Sequence, residues 1–259
     1  MLCSQRLTIM IQIDLQKAEI LSGHFLHNPS YCALHLPMPE HINEATAAYM
    51  QRLLHPAERK KYCALFRNPR RQKLILFGRF FAKWMIADWV NEFGTADVMP
   101  PQIAVINREN GTPNICGLPD GIPMNISVSY SQNTFLIACA TEGRIGVDIE
   151  NAIDPDSNLS SLALSRQERV LMDSQLFGFS RAQIMLLFWC LKEAILKAVG
   201  LGFSHGYQSI TFHTNSNRTQ LLLADHDTVI PAGERIRCLF DMNDGLCAVI
   251  CRIEKELCL

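Results

Sequence analysis

No CxxC pair occurs among the ten cysteines of this 259-residue chain, and none of its eight histidines stands at a metal-ligand spacing. A structural zinc site is therefore not expected. Nor does any apolar run approach the ~20 residues of a membrane-spanning helix. The early Ile9-Met10-Ile11 run, broken by Gln12 and Asp14, is too short and too polar for a secretory leader. Charges nearly cancel at a formal net of -1, which argues against general affinity for nucleic acid or for an anionic membrane. There is no Walker loop, no paired-glycine dinucleotide turn, no nucleophile elbow and no Ser-His-Asp order. The cysteines sit in apolar surroundings, as at Cys139 and Cys190, which suits buried thiols in a reducing, cytoplasmic setting.

What is present is an apolar fraction of 48%, enough to build one large core or two modest ones. Residues 1–45 carry Pro and Asn-Pro breaks and one expected strand at 31–36. Helical pattern begins at Pro56, which suits a first-turn position and is followed by Glu58, and a second helix is expected over 70–93. Strands are expected at 102–107, 126–130, 134–141 and 146–150, with the turn-rich 110–123 passage read as loop. Ser165-x-x-Glu168 and Ser180-x-x-Gln183 have capping-box spacing, the second ahead of a long helix ended by Gly200 and Gly202. Period-two segments at 209–213, 220–223, 235–240 and 246–253 read as an antiparallel meander. Helices then strands, twice over, suggest two α+β halves: 1–144 and 145–259.

Two segments carry the chemistry. Alternation in Gly146-Val-Asp-Ile-Glu150 puts Asp148 and Glu150 on one strand face, and in Trp189-Cys-Leu-Lys-Glu-Ala-Ile-Leu-Lys197 the residues Trp189, Glu193 and Lys197 share one helix face. Carboxylates two apart on a strand lie about 6.6 Å from each other and repel by about 2.5 kcal/mol at an effective dielectric near 20. A hard divalent cation would relieve this. Taken singly, the strand also reads as the solvent face of a half-buried sheet and the Glu193/Lys197 spacing as a surface i, i+4 pair. Yet the helix is apolar almost all round, and such a helix is buried. Its carboxylate and ammonium must then line a cleft.

This pairing, Gly-Val-Asp-Ile-Glu with Trp-x-x-Lys-Glu-Ala-x-x-Lys some 40 residues on, resembles the 4'-phosphopantetheinyl transferases of the two-repeat, monomeric Sfp type. Gly111-Thr-Pro113, Ser129-Tyr-Ser131 and Ser165-x-x-Glu168 extend the likeness, while Thr112 and Tyr130 stand where the family usually has lysine and histidine. The resemblance implies two pseudo-symmetric α+β halves with the active site in the cleft between them. It implies transfer of the 4'-phosphopantetheine of coenzyme A to a serine of an acidic apo carrier protein, with release of 3',5'-ADP. It implies Mg2+ held by Asp148, Glu150 and Glu193, with Glu193 and Lys197 catalytic. It implies coenzyme A contacts at Lys61, Lys73, Ser129 and Tyr130, the lysines lying in the basic 59–73 cluster, which read alone is a solvated helix face. Apolar positions between Leu159 and Phe179 would receive the carrier helix. Another metal-dependent phosphate hydrolase and a non-catalytic coenzyme A-binding module are the alternatives.

Overall fold

Capping chemistry sets where the helices start. The computed structural model describes residues 9–22, 26–65, 67–94, 97–152, 162–174, 176–201, 206–216, 220–225, 229–243 and 245–255. Helix α1 (Glu44–Arg52) begins where Asn43 Oδ1 accepts the Thr46 N–H at 2.8 Å. Helix α2 (Pro56–Ala64) has Pro56 in its first turn, and the His55 N–H donates to Glu58 Oε2 at 2.8 Å. Helix α3 (Pro69–Phe93) opens on Asn68, whose side chain accepts the Arg71 N–H. All three belong to the unit Ser22–Glu142.

In that unit, strands β2 (Leu26–Asn28), β3 (Tyr31–Pro37), β6 (Asn125–Ser131) and β7 (Thr134–Ala140) form one antiparallel sheet in the order β2-β3-β7-β6. Strands β4 (Ala104–Asn107) and β5 (Pro113–Cys116) pair separately. The passage read as loop over 110–123 thus holds a short strand, because Asn114 and Ile115 find ladder partners in Ile106 and Val105. Ile86, Trp89 and Val90 of α3 share a core with Ile103, Ile126 and Ile137.

The second unit comprises Met1–Leu21 and Gly143–Leu259. Its helices are α4 (Arg166–Met172) and α5 (Arg181–Val199), each opened by the expected capping box. Gly200 closes α5 at φ 76°, in the left-handed region that favours glycine. Gly202 lies outside the described residues. Strands β1 (Ile9–Lys17), β8 (Arg144–Asn151), β9 (Ile210–Thr214), β10 (Leu221–Asp225), β11 (Glu234–Met242) and β12 (Leu246–Lys255) form a six-stranded sheet ordered β8-β12-β11-β1-β10-β9. The expected meander is therefore interrupted. Strand β1 enters between β10 and β11, antiparallel to the first and parallel to the second, with Ile13 opposite both Leu221 and Ile236. Strand β1 consequently belongs with this unit rather than with the half expected over 1–144. Buried Leu187, Phe188 and Leu191 of α5 share its core with Phe212, Ile236 and Val249.

Each unit contains a buried Glu–Lys strut of the same design. Glu168 at the third position of α4 pairs with Lys192 of α5 at 2.9 Å, both side chains fully buried. Its Oε1 accepts the Phe212 N–H of β9 at 2.8 Å and its Oε2 the Ser165 N–H at 2.7 Å. Glu58 of α2 likewise pairs with Lys83 of α3 and accepts the Val105 N–H of β4 at 2.8 Å. Such pairs persist in a core because every proton and lone pair is satisfied.

Candidate active site

Helix α5 lies against strand β8 at backbone distance, and a glycine makes this possible. A Cβ built at Gly146 would sit 1.9 Å from the Ala194 carbonyl oxygen and 2.5 Å from the Ala198 nitrogen. Residues two apart on a strand share a face, so Asp148 and Glu150 are turned toward the same helix. The acids do not face solvent in the manner of a half-buried sheet: Asp148 is buried, and Glu150 is partly so.

Asp148, Glu193 and Lys197 meet there. Lys197 Nζ lies 2.6 Å from Asp148 Oδ1 and 3.8 Å from Glu193 Oε2, with the Lys197 side chain 25% exposed and that of Asp148 3%. Glu193 Oε1 accepts the Tyr207 hydroxyl at 2.6 Å. Burial, with Asp148 adding to it, holds the Glu193 carboxyl above its ordinary range against the opposing pull of the Tyr207 hydrogen bond and Lys197. Burial and Glu193 together hold Tyr207 above the usual phenol range. Burial pushes the Cys190 thiol of α5 up, and Cys247, Asp148 and Glu150 add to it, which places the Glu150 carboxylate within electrostatic reach of the helix. Trp189 is buried, its ring centroid 4.8 Å from that of Tyr207. Among the described residues, no group of three or more His, Cys, Asp and Glu is spaced to hold a metal ion. Asp148 and Glu193 converge on one ammonium; Glu150 shares the strand face of Asp148 without completing a metal-spaced triad.

Residues 144–244, which hold Asp148, Glu150, Trp189, Glu193, Lys197 and Tyr207, match the family model of the 4'-phosphopantetheinyl transferase superfamily. A Synechocystis sp. protein provisionally named a 4'-phosphopantetheinyl transferase is 32% identical over 135 residues, which cover 51% of this chain and 54% of the relative. The chain thus spans about half the length of the curated relative that it matches.

The other unit, outside the transferase-superfamily segment, carries a cationic pocket. A cavity of about 240 Å³ is lined by Lys61, Arg71, Arg79, Asn107, Tyr130 and the Gly111 and Pro113 backbone turn, among others. Lys61, Arg79 and Asn107 also line an adjoining cavity of about 310 Å³. Burial, then Arg79 and Arg71, lower the Lys61 pKa, so the three cations are close enough to repel. An anion would offset that repulsion.

Of the residues expected to contact coenzyme A, the structure brings Lys61 and Tyr130 together. Lys73 and Ser129 line neither cavity. The Lys73 ammonium donates to the carbonyls of Pro39 and Glu40, the latter at 2.6 Å, and buried Ser129 lies on the face of β6 opposite Val128 and Tyr130. Thr112 donates its hydroxyl to Asn110 within its own turn at 2.7 Å. Arg79 was not anticipated. It donates to Asn107 Oδ1, while Asn107 Nδ2 donates to the Gly111 carbonyl at 2.6 Å. Two cations four apart in the apolar stretch 74–90 were the signal: each needs a partner if the helix is buried. Tyr207 had no comparable signal, since it lies in a turn whose position only the fold sets.

Proposed function

We propose that this chain transfers the 4'-phosphopantetheine arm of coenzyme A to a serine of an apo carrier protein, releasing 3',5'-ADP. The observation that carries the reading is the meeting of Asp148, Glu193 and Lys197 inside the superfamily segment. In this reaction a bond forms between the serine oxygen and the phosphorus bearing the pantetheine arm. The pyrophosphate P–O bond breaks, and the serine proton must be taken up. Glu193, its pKa raised toward the working range of a general base, accepts that proton. Lys197, held by Asp148, offsets negative charge on the phosphate oxygens.

Asp148 and Glu193 offer hard carboxylate oxygens, from a strand and a facing helix, around the position that the Lys197 ammonium occupies, a donor chemistry that suits magnesium in kind. Asp148, Glu150 and Glu193 would hold it, and when bound it would supply charge neutralisation at the pyrophosphate. Lys61, Arg71 and Arg79 would receive coenzyme A phosphate groups. For the carrier, Leu162, Val170 and Phe177 are exposed apolar side chains with exposed Arg166 on the same stretch, a combination suited to an acidic amphipathic helix. Residues 159–161 and 175 of the region expected to receive it lie outside the described residues. The eight described cysteines are free thiols, and no helix among the described residues is long and apolar enough to cross a membrane. A cytoplasmic, monomeric enzyme of the two-repeat type fits this picture.

Intact-mass analysis of candidate apo carriers, incubated with coenzyme A and magnesium, tests the proposal. One added phosphopantetheine is expected with the native chain, and at least about 10³-fold slower addition with Glu193→Gln. Phosphate release without carrier modification would point instead to a hydrolase, and binding of coenzyme A without either reaction to a non-catalytic module. Retained turnover in Glu193→Gln would defeat the assigned base.

A further inference from the structure

Three residues of α5, Trp189 and the adjacent pair Lys192 and Glu193 one turn on, hold a single residue of the following turn. The Tyr207 ring packs against Trp189 in a tilted arrangement, with ring centroids 4.8 Å apart and planes at 40°. Its carbonyl accepts from Lys192 Nζ at 2.9 Å, and its hydroxyl donates to Glu193 Oε1 at 2.6 Å. Lys192 is itself fixed by Glu168 and by the carbonyls of Ala163 and Ile210, at 2.9, 3.0 and 3.1 Å. The backbone at Tyr207 is therefore tied to the core strut, and its ring and hydroxyl to the working face of the helix.

A carboxylate on a flexible glutamate has two equivalent oxygens, and either could turn toward a reacting group. Here the phenol occupies Oε1. The other oxygen, Oε2, is the one 3.8 Å from Lys197 Nζ, the ammonium that also contacts Asp148. We propose that Tyr207 is a positioning residue: its hydroxyl engages one oxygen of Glu193 so that the carboxylate presents the other toward Lys197 and Asp148. The inference rests on the transferase reading for its catalytic consequence, but its geometric content is independent of that reading. A donor that aims a general base without touching substrate acts on orientation, where a displacement near 1 Å costs about 10²-fold in rate.

Tyr207→Phe separates the hydroxyl from the ring, since phenylalanine keeps the ring contact with Trp189. With coenzyme A and a modified carrier in hand, kcat is expected to fall by about 10- to 100-fold while KM for both substrates stays within about twofold. The second measurement needs no turnover. In metal-free protein labelled with 13C at the glutamate carboxyls, the Glu193 resonance, assigned by its loss in Glu193→Gln, is expected to shift in Tyr207→Phe. An unchanged kcat, a loss confined to KM, or an unmoved resonance would each overturn the assignment. If the native chain modifies no carrier, the transferase reading fails, and the resonance alone then decides whether Tyr207 aims Glu193.

Discussion

The two units solve one structural problem in the same way and then diverge at the next residue. In each, a capping-box glutamate reaches into the core, pairs with a lysine on the following long helix and accepts an N–H from a later strand, Val105 in one and Phe212 in the other. In each, the lysine also donates to a carbonyl two residues before the cap, Leu53 or Ala163. After Lys83 comes Trp84, which is exposed, and Asp88 further along the same face is exposed as well. After Lys192 comes Glu193, buried and bonded to Tyr207, and Lys197, which reaches Asp148. The strut is therefore architecture, common to both helices, whereas chemistry depends on which side chains follow it and on what strand lies opposite. Gly146 lets β8 approach α5 to backbone contact. The pocket of the unit Ser22–Glu142 has a different character: Lys61, Arg71 and Arg79 gather around its cavities, and the lining acid Glu58 serves Lys83.

Breaking the struts should produce the largest effects on stability. Lys83→Met and Lys192→Met each leave a buried carboxylate unpaired, and each is expected to cost about 3–5 kcal/mol in urea unfolding. Lys192→Met should in addition lower transfer activity in whatever protein remains folded, because the Tyr207 carbonyl loses its donor; Lys83→Met should not. Equal activity losses at equal folded fraction would show that the two struts do not differ in function.

A smaller effect sharpens the contrast between the acid site and the cationic pocket. Arg79→Met is expected to raise KM for coenzyme A about 10-fold, the loss of one charge-assisted contact, with kcat little changed. Lys73→Met should leave KM within about twofold, since its ammonium serves the Pro39 and Glu40 carbonyls. A larger effect at Lys73 than at Arg79 would reverse the assignment.

The smallest effect concerns alkaline stability, to which buried thiols of both units contribute. Burial, then Cys32, raises the Cys139 pKa well above its ordinary 9.0. A hydrogen bond to Cys251, then burial, does the same for Cys238. Below pH 9 both folded and unfolded chains hold these protons, and the thiol contribution is complete. Above it the unfolded chain releases protons that the folded chain keeps, so stability falls with rising pH by up to about 1.4 kcal/mol per pH unit for each thiol. Cys139→Ala and Cys238→Ala should each flatten that decline in unfolding curves taken from pH 8 to 10. An unchanged slope in both would show that neither thiol is the source.

Much of the acid site was legible because its signals are local. Capping spacing, strand alternation and the i, i+4 placement of Glu193 and Lys197 follow from backbone periodicity, and a charged pair in an apolar helix announces a cleft. The α+β class and the helices opening at Pro56 and Ser180 were readable for the same reason. Strand β1 had the period-two pattern of Ile11, Ile13 and Leu15, but nothing local says that it will pair in parallel with a strand more than 200 residues away. Strand β5 depended on partners in β4, and α1 was hidden among prolines. The sequence by itself determined which side chains share a face and which helix must be buried, since those depend on 3.6- and 2-residue periods. Only the tertiary structure decided that Asp148 meets Lys197, that Tyr207 meets Glu193, that Arg79 rather than Lys73 lines the pocket, and that strand β1 joins the later unit. Those pairings are contacts across long sequence separations, set by packing and ladder register rather than by any local pattern.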